Sequence, residues 1–261
     1  MSSAGEEKSS SADLLRVSSF SQMTRFENQT FEYFGDRSTG RVFSDLEFIN
    51  CVFSRAGFSS ITIPNEEKLD LVGLRSVARN LKFSNCCIEG VGFVGAGIVE
   101  DCIIDGLRVT KHLQTAGTAF RHVIIKGVVD RLMITPYVDF FKRAPEVQRS
   151  FDAANLEYYE TVDWALDISG AIFKDCDIRG VPARLIRRDP ETQVVLTREK
   201  ALIGNWRDLD LSNTHWPTAI EFFLSDGYQD CVLAAPKRSR NFSKLLDGLH
   251  RLREAEIVEL D

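Results

Sequence analysis

The run Gly90-Val91-Gly92-Phe93-Val94-Gly95 has the G-x-G-x-x-G spacing of a dinucleotide-binding turn. That turn works only when a strand precedes it and a helix opens at its third glycine, so that amide N–H groups and the helix dipole meet the pyrophosphate. Here Ala96-Gly97-Ile98-Val99 follows and no helix start is legible, so the glycines read as corners and no cofactor is expected. The four histidines, His112, His122, His215 and His250, are scattered, and the six cysteines form no C-x-x-C pair. Neither set has metal-ligand spacing, and no Ser or Cys lies in a nucleophile motif such as G-x-S-x-G. The expectation is therefore no catalytic, metal or cofactor residue: a non-enzyme. One charged constellation remains. Arg184, Arg187, Arg188, Arg198 and Lys200 surround the Asp189-Pro190-Glu191-Thr192 turn. They are the candidate contact surface for a protein partner, because a local cationic field steers acidic partners.

The elements that must carry these residues follow from a five-residue period. Phe43, Phe48, Phe53, Phe58 and Ile63 stand five apart, as do Phe83, Ile88, Phe93 and Ile98. After one extra residue Ile104 and Val109 continue, then Phe120 with Ile125, Ile168 with Phe173 and Ile178, and Trp206 with Leu211. Phe26 and Phe31 begin the series. Two positions before each large residue lies a second apolar one, and Cys51, Cys86, Cys102 and Cys176 occupy that place, where a thiol acts as a small hydrophobe. Cys87, next in line, points outward by strand alternation. Two positions after the large residue come Asn50, Asn85, Gly90, Gly95, Gly106, Gly127, Gly170, Gly180 and Asn213, residues suited to a tight corner. Neither the helical period of about 3.6 nor the strand period of 2 gives this pattern. A chain turning a corner every five residues does. The ladder also explains 18 phenylalanines beside five tyrosines, since an interior ring has no partner for a hydroxyl.

The runs FINCVFSRAGF (Phe48 to Phe58), LKFSNCCIEGVGFVGAGI (Leu81 to Ile98) and LDISGAIFKDCDIRG (Leu166 to Gly180) resemble pentapeptide-repeat proteins. The resemblance implies a right-handed quadrilateral β-solenoid with four pentapeptides per turn, mainly β, over roughly half the chain. Its core ladder would comprise Phe43, Phe48, Phe53, Phe58, Phe83, Ile88, Phe93, Ile98, Ile168, Phe173 and Ile178. Phe48, Phe93 and Phe173 are expected in one continuous column.

Five segments follow. Residues 1–22 read as a flexible tail, 23–136 as solenoid and 137–165 as a partly helical insertion packed on one face. Residues 166–215 carry further coils, with a β-hairpin from Leu185–Arg188 and Gln193–Thr197, and 216–261 form a helical C-terminal cap. Helices should start at Trp216-Pro217 and after Asn241; the second carries the stripe Phe242, Leu245, Leu246, Leu249 and Leu252. That stripe is either cap packing or a homodimer seam, the latter being what the resemblance implies.

The net charge of −6 argues against a general nucleic-acid binder, and without a long apolar run or an apolar leader a cytoplasmic, non-membrane protein is expected. Two functions are expected: a non-catalytic scaffold or protein-binding module of immunity or regulatory type, or, as the resemblance to pentapeptide-repeat proteins implies, a DNA-mimicking topoisomerase-binding protein of the fluoroquinolone-resistance type. Interleaved charges between Arg41 and Arg108 weaken the second.

Overall fold

A computed structural model of the protein describes residues 23–32, 42–59, 72–73, 75–138 and 145–259. The segment 1–22, the side chain of Phe58, Ile63, and the loops about residues 36–41 and 64–68 lie outside the described residues. The described chain is mainly β, with strands joined in one open, curled, chiefly parallel sheet. Among the described residues no helix is long and apolar enough to cross a membrane.

The sheet curls because the chain keeps taking left-handed corners. β1 (Thr24–Glu27), β3 (Val42–Ile49), β6 (Val77–Ile88), β9 (Ile103–Val109) and β12 (Val123–Thr135) pair in parallel, each on the next. The register sets Phe26 on Phe48, Phe48 on Phe83, Phe83 on Ile104 and Ile104 on Ile125. At one recurring corner Asn28, Asn50, Asn85, Gly106 and Gly127 all have φ between 52° and 74°. At another, Asp45, Asn80, Asp101 and His122 have φ of 50° to 60°. Asn and Asp accept this region because their short polar side chains bond locally. Here they bond to the coil beside them, as Asn80 Nδ2 donates to Asp45 Oδ1 at 2.7 Å and Asn50 Nδ2 to Asn28 Oδ1 at 3.2 Å. Gly95, Gly170 and Asn213, expected as corners, do not take these angles, whereas Ala96 does, with φ of 46°.

The core consists of side-chain columns. Phe26, Phe48 and Phe83 stack with ring centroids 5.3 and 5.1 Å apart, and beside them Phe31 stacks on Phe53 at 5.2 Å. The columns meet edge to face, Phe48 against Phe53 at 5.3 Å, the geometry that ring quadrupoles favour. Phe43, Phe48, Phe53, Ile88, Ile168, Phe173 and Ile178 are buried, while Phe83 and Ile98 are partly buried against them. Cys51, Cys86 and Cys102 are buried too, each with its thiol against carbonyl oxygens of its own and the neighbouring coil. Burial pushes the Cys86 thiol up to about 11 and that of Cys102 to about 12, so both stay protonated and inert.

Phe93 departs from this order. In β7 (Val91–Gly95) it is Gly92 that stacks on Ala56 of β5 (Ala56–Ser59) and under Leu113 of β10 (His112–Ala116), while Phe93 pairs with Gly57 and Gln114. Val91 is turned outward. The cause is steric: a Cβ on Gly57 would sit 2.3 Å from the Phe93 carbonyl oxygen, so the two backbones approach as only glycine allows. Phe48, Phe93 and Phe173 therefore belong to three different ladders, since Phe173 lies on Val129. Phe93 is only half-buried, beside an apolar cavity of about 100 Å³ lined also by Phe53, Phe83, Leu107 and Leu113.

The five-step breaks where α1 (Pro145–Glu160) leaves the coil. Its buried residues Phe151, Asn155 and Tyr159 recur every four positions and form the docking face. Tyr159 accepts the Phe120 N–H at 3.2 Å, and Arg75 lays its guanidinium over the Phe151 ring at 5.0 Å. β13 (Leu166–Asp167) and β14 (Ala171–Arg179) then rejoin the parallel sheet on β12.

The expected hairpin is absent. β15 (Ile186–Arg187) pairs in parallel with β13, while β16 (Gln193–Thr197) pairs antiparallel with β17 (Asp230–Ala234), which also closes against β14. The turn between them is wound by Asp189, whose carboxylate accepts the Glu191 N–H and the Thr192 hydroxyl. The β16–β17 pair is two-faced. Val195 and Val232 pack into the phenylalanine core, whereas Val194, Leu196, Cys231 and Leu233 pack into a second core with Trp206, Leu211, Trp216, Ile220 and Phe223. Trp206 and Leu211 thus belong to the second core and not to a further coil.

α2 (Arg198–Ile203), α3 (Trp216–Asp226) and α4 (Phe242–Glu254) complete that second core. Leu245, Leu249 and Leu252 of α4 are at most 3% exposed, and the Trp216 indole donates to the Leu245 carbonyl at 2.9 Å. The stripe offered as a dimer seam is consumed inside the chain. Residues 216–259 are accordingly more than a lid, for they share a hydrophobic core of their own with β16 and α2.

Truncating a ring from the column should cost more than truncating the misregistered one. Phe48→Ala is expected to lower stability by about 3–5 kcal/mol and Phe93→Ala by about 1–2 kcal/mol in urea denaturation. Equal losses would contradict the separate ladders.

Candidate functional site

Three excursions from the sheet meet at one place: α1, the bend at Gly180-Val181-Pro182 after β14, and the turn from α3 into β17. Between them lies an open groove of about 460 Å³, within the usual range for a binding site. Each wall has a local cause. Gly180 takes φ of 80° against Pro136, where a Cβ would lie 2.6 Å from the proline Cβ. Gly227 ends α3 in the left-handed C-terminal turn typical of glycine, with φ of 81°, and turns Tyr228 toward α1. Asp152 and Asn155 sit on the helix itself.

The polar groups at the groove are tied together. Tyr228 donates its hydroxyl to Asp152 Oδ1 at 3.2 Å, the same oxygen that accepts Gln148 Nε2 at 2.8 Å. Asp230 Oδ1 accepts the Ala183 N–H at 2.9 Å. Tyr137 donates to Asp226 Oδ1 at 2.5 Å, and the Arg179 guanidinium reaches Asp226 Oδ2. Arg179 also forks onto Asp177, with Nε to Oδ1 at 3.0 Å and Nη2 to Oδ2 at 2.8 Å. One cation thus holds two carboxylates and joins the end of β14 to the end of α3. Burial, followed by the neighbouring Asp226, pushes the Tyr137 hydroxyl up to about 12; burial and then Asp152 raise Tyr228 as well. Burial likewise lifts Asp230 and Asp177 above the usual carboxylate range. The region resists further negative charge.

A second cleft, of about 230 Å³, opens across the Arg179 network between β14 and α3, with Asp175, Asp177, His215 and Phe222 on its walls. Burial lowers the His215 imidazole, keeping it neutral at pH 7. Among the described residues no group of three His, Cys, Asp or Glu side chains could hold a metal ion. The G-x-G-x-x-G stretch leads from β7 into another strand, β8 (Ile98–Glu100), and offers no helix N-terminus.

The five basic candidates have different partners. Arg184 is exposed at the rim of the groove. Arg187 lies over the Trp164 ring at 4.1 Å. Arg188 and Arg198 are partly buried, and Lys200 Nζ donates to the Val258 carbonyl at 3.1 Å beside Glu259. The hairpin expected to carry them is not formed, since β15 and β16 pair with different strands. The groove residues Asp152, Asn155, Asp226, Tyr228 and Asp230 escaped sequence reasoning because three distant segments supply them.

Trp164 marks a second polar cluster, at the corner that carries His122. His122 Nδ1 is 3.1 Å from Asp101 and Nε2 is 2.6 Å from Asp163, with the imidazole 4.7 Å from the indole. The hydrogen bond to Asp163, and then that to Asp101, raises the imidazole above its ordinary value. Compared with protein-family models, with curated proteins and with solved structures, the chain has no match.

Two measurements check this chemistry. Removing the shared cation with Arg179→Met leaves Asp177 and Asp226 uncompensated and should cost about 3 kcal/mol near neutral pH. Because Asp177, which burial already lifts above the usual carboxylate range, then takes up a proton on folding, the loss should shrink as pH falls toward about 5; a pH-independent loss below about 1 kcal/mol would disprove the network's role. For His122, a folded pKa above the unfolded one means that its contribution is complete below about pH 6.5 and fades as pH rises through the folded value. His122→Asn, which keeps a residue tolerant of positive φ, should therefore melt furthest below wild type in mild acid and approach it in mild alkali. A gap that widens with pH would reverse the assignment.

Proposed function

We propose that the chain is a non-catalytic protein-binding scaffold, with its curled sheet a right-handed quadrilateral β-solenoid of the pentapeptide-repeat kind. The solenoid reading is supported by the parallel registers that return Phe83, Ile104 and Ile125 one above another, and by recurrent left-handed corners. The functional reading is carried by one observation: the side chains of the coils are spent on columns, and the excursions build an open groove on that rigid support. Loops and excursions held by a rigid scaffold are the usual carriers of recognition. The carboxylates lining the groove already serve structural hydrogen bonds, as a positioning surface requires. An immunity or regulatory role is the biological form this reading takes.

A DNA-mimicking, topoisomerase-binding role is less well supported. Such a surface needs continuous negative charge, whereas neighbouring coils here alternate Arg79 with Glu100 and Arg121, and Asp105 with Lys126.

Leu156 on α1 and Val42 on β3 are equally exposed, at 65% each, and one lies at the groove while the other does not. With a photo-crosslinking residue placed at either position in the full-length protein and irradiation in its native cell, discrete protein adducts should form from position 156 and not from 42. Adducts from neither position, or the same from both, would refute the reading.

A further inference from the structure

We infer that the groove between α1 and the turn at Gly227 receives the guanidinium of an arginine presented by a partner protein; this rests on the protein-binding reading above. The donor and acceptor inventory decides the chemistry. Asp152 and Asp230 use Oδ1 for their internal hydrogen bonds, which leaves Oδ2 of each without a bonded donor among the described residues. Asn155, more than nine-tenths buried at the groove wall, donates Nδ2 to the Gly117 carbonyl at 3.3 Å. Its Oδ1 has no hydrogen-bond partner among the described residues, a costly state for a buried amide oxygen. That amide oxygen is itself closed to solvent, so the two carboxylates that line the groove set its chemistry, and they call for a ligand that only donates.

A guanidinium is planar, carries five N–H donors and no acceptor, and stays charged. It suits acceptors supplied from several sides better than the point charge of an ammonium does. The groove also offers the rings of Tyr159 and Tyr228 and the apolar surfaces of Val181, Pro182 and Leu156 to the methylene stem. Leu156 stands 65% exposed at the edge, where a residue flanking the arginine would cover it. Arg184 is the one cation among the described lining residues, and it opposes the guest by repulsion from the rim.

The test uses the full-length protein and the blocked peptide acetyl-Leu-Arg-Leu-amide, with counterparts bearing citrulline or lysine in place of arginine. Titration followed by NMR should move the backbone amides of residues 227–230, with the arginine peptide bound about tenfold tighter than the citrulline peptide and the lysine peptide between them. Asp152→Asn and Asp230→Asn keep the internal hydrogen bonds through Oδ1 and should each weaken binding severalfold with an unchanged melting temperature. Arg184→Ala should tighten it. Equal binding of the arginine and citrulline peptides, or no binding at millimolar concentration, overturns the inference. If position 156 still crosslinks to a protein while the arginine peptide fails, only the arginine assignment falls; if crosslinking also fails, the protein-binding reading falls with it.

Discussion

Parallel stacking in register is the constraint on which the rest depends. When a residue must lie on its counterpart one coil away, its side chain is judged against that counterpart more than against its neighbours in sequence. Phe26, Phe48 and Phe83 satisfy this by face-to-face stacking, and the second column, Phe31 on Phe53, turns its ring edges to the first. The register is kept by corners that recur at matching places, with left-handed angles at Asn50, Asn85 and Gly106. Where the coil length changes, repair is local. At the register shift between Lys126 and Val129 the Asp130 carboxylate accepts the Val109 N–H at 3.2 Å, in place of a ladder bond.

Much of this architecture was legible because large side chains and corner residues share one period. The period placed Phe48, Phe53, Ile88, Phe173 and Ile178 in the interior, with three of the cysteines beside them. It misplaced Phe93, because a period records residue size and not the backbone approach at Gly57 that shifts the pairing by one residue. The hairpin failed for a related reason. Alternation about a proline-containing turn is compatible with any two edge partners, and β16 found a better one in β17, whose Val232 and Leu233 fill two cores at once.

The groove was illegible for a different reason. Its residues come from α1, from the bend at Gly180 and from the turn at Gly227, and no spacing along the chain links them. What was readable was only that the five-step stops at the insertion. The basic residues attracted attention because they are close in sequence, and their surroundings differ: Arg187 lies over Trp164, Lys200 donates to the Val258 carbonyl, and Arg184 stands at the groove. Proximity in sequence was a poor guide in a fold whose contacts run between coils.

The closing strand β17 has a consequence for how such a chain can change length. It runs antiparallel to β14 and belongs to both cores, so a coil added beyond it would find no parallel edge to continue. The strands upstream of Leu166 pair in parallel from β1 to β12, so their edge is of the kind a further parallel strand can continue. Room for a further parallel strand therefore lies on the N-terminal side of Leu166, with the closing unit left in place.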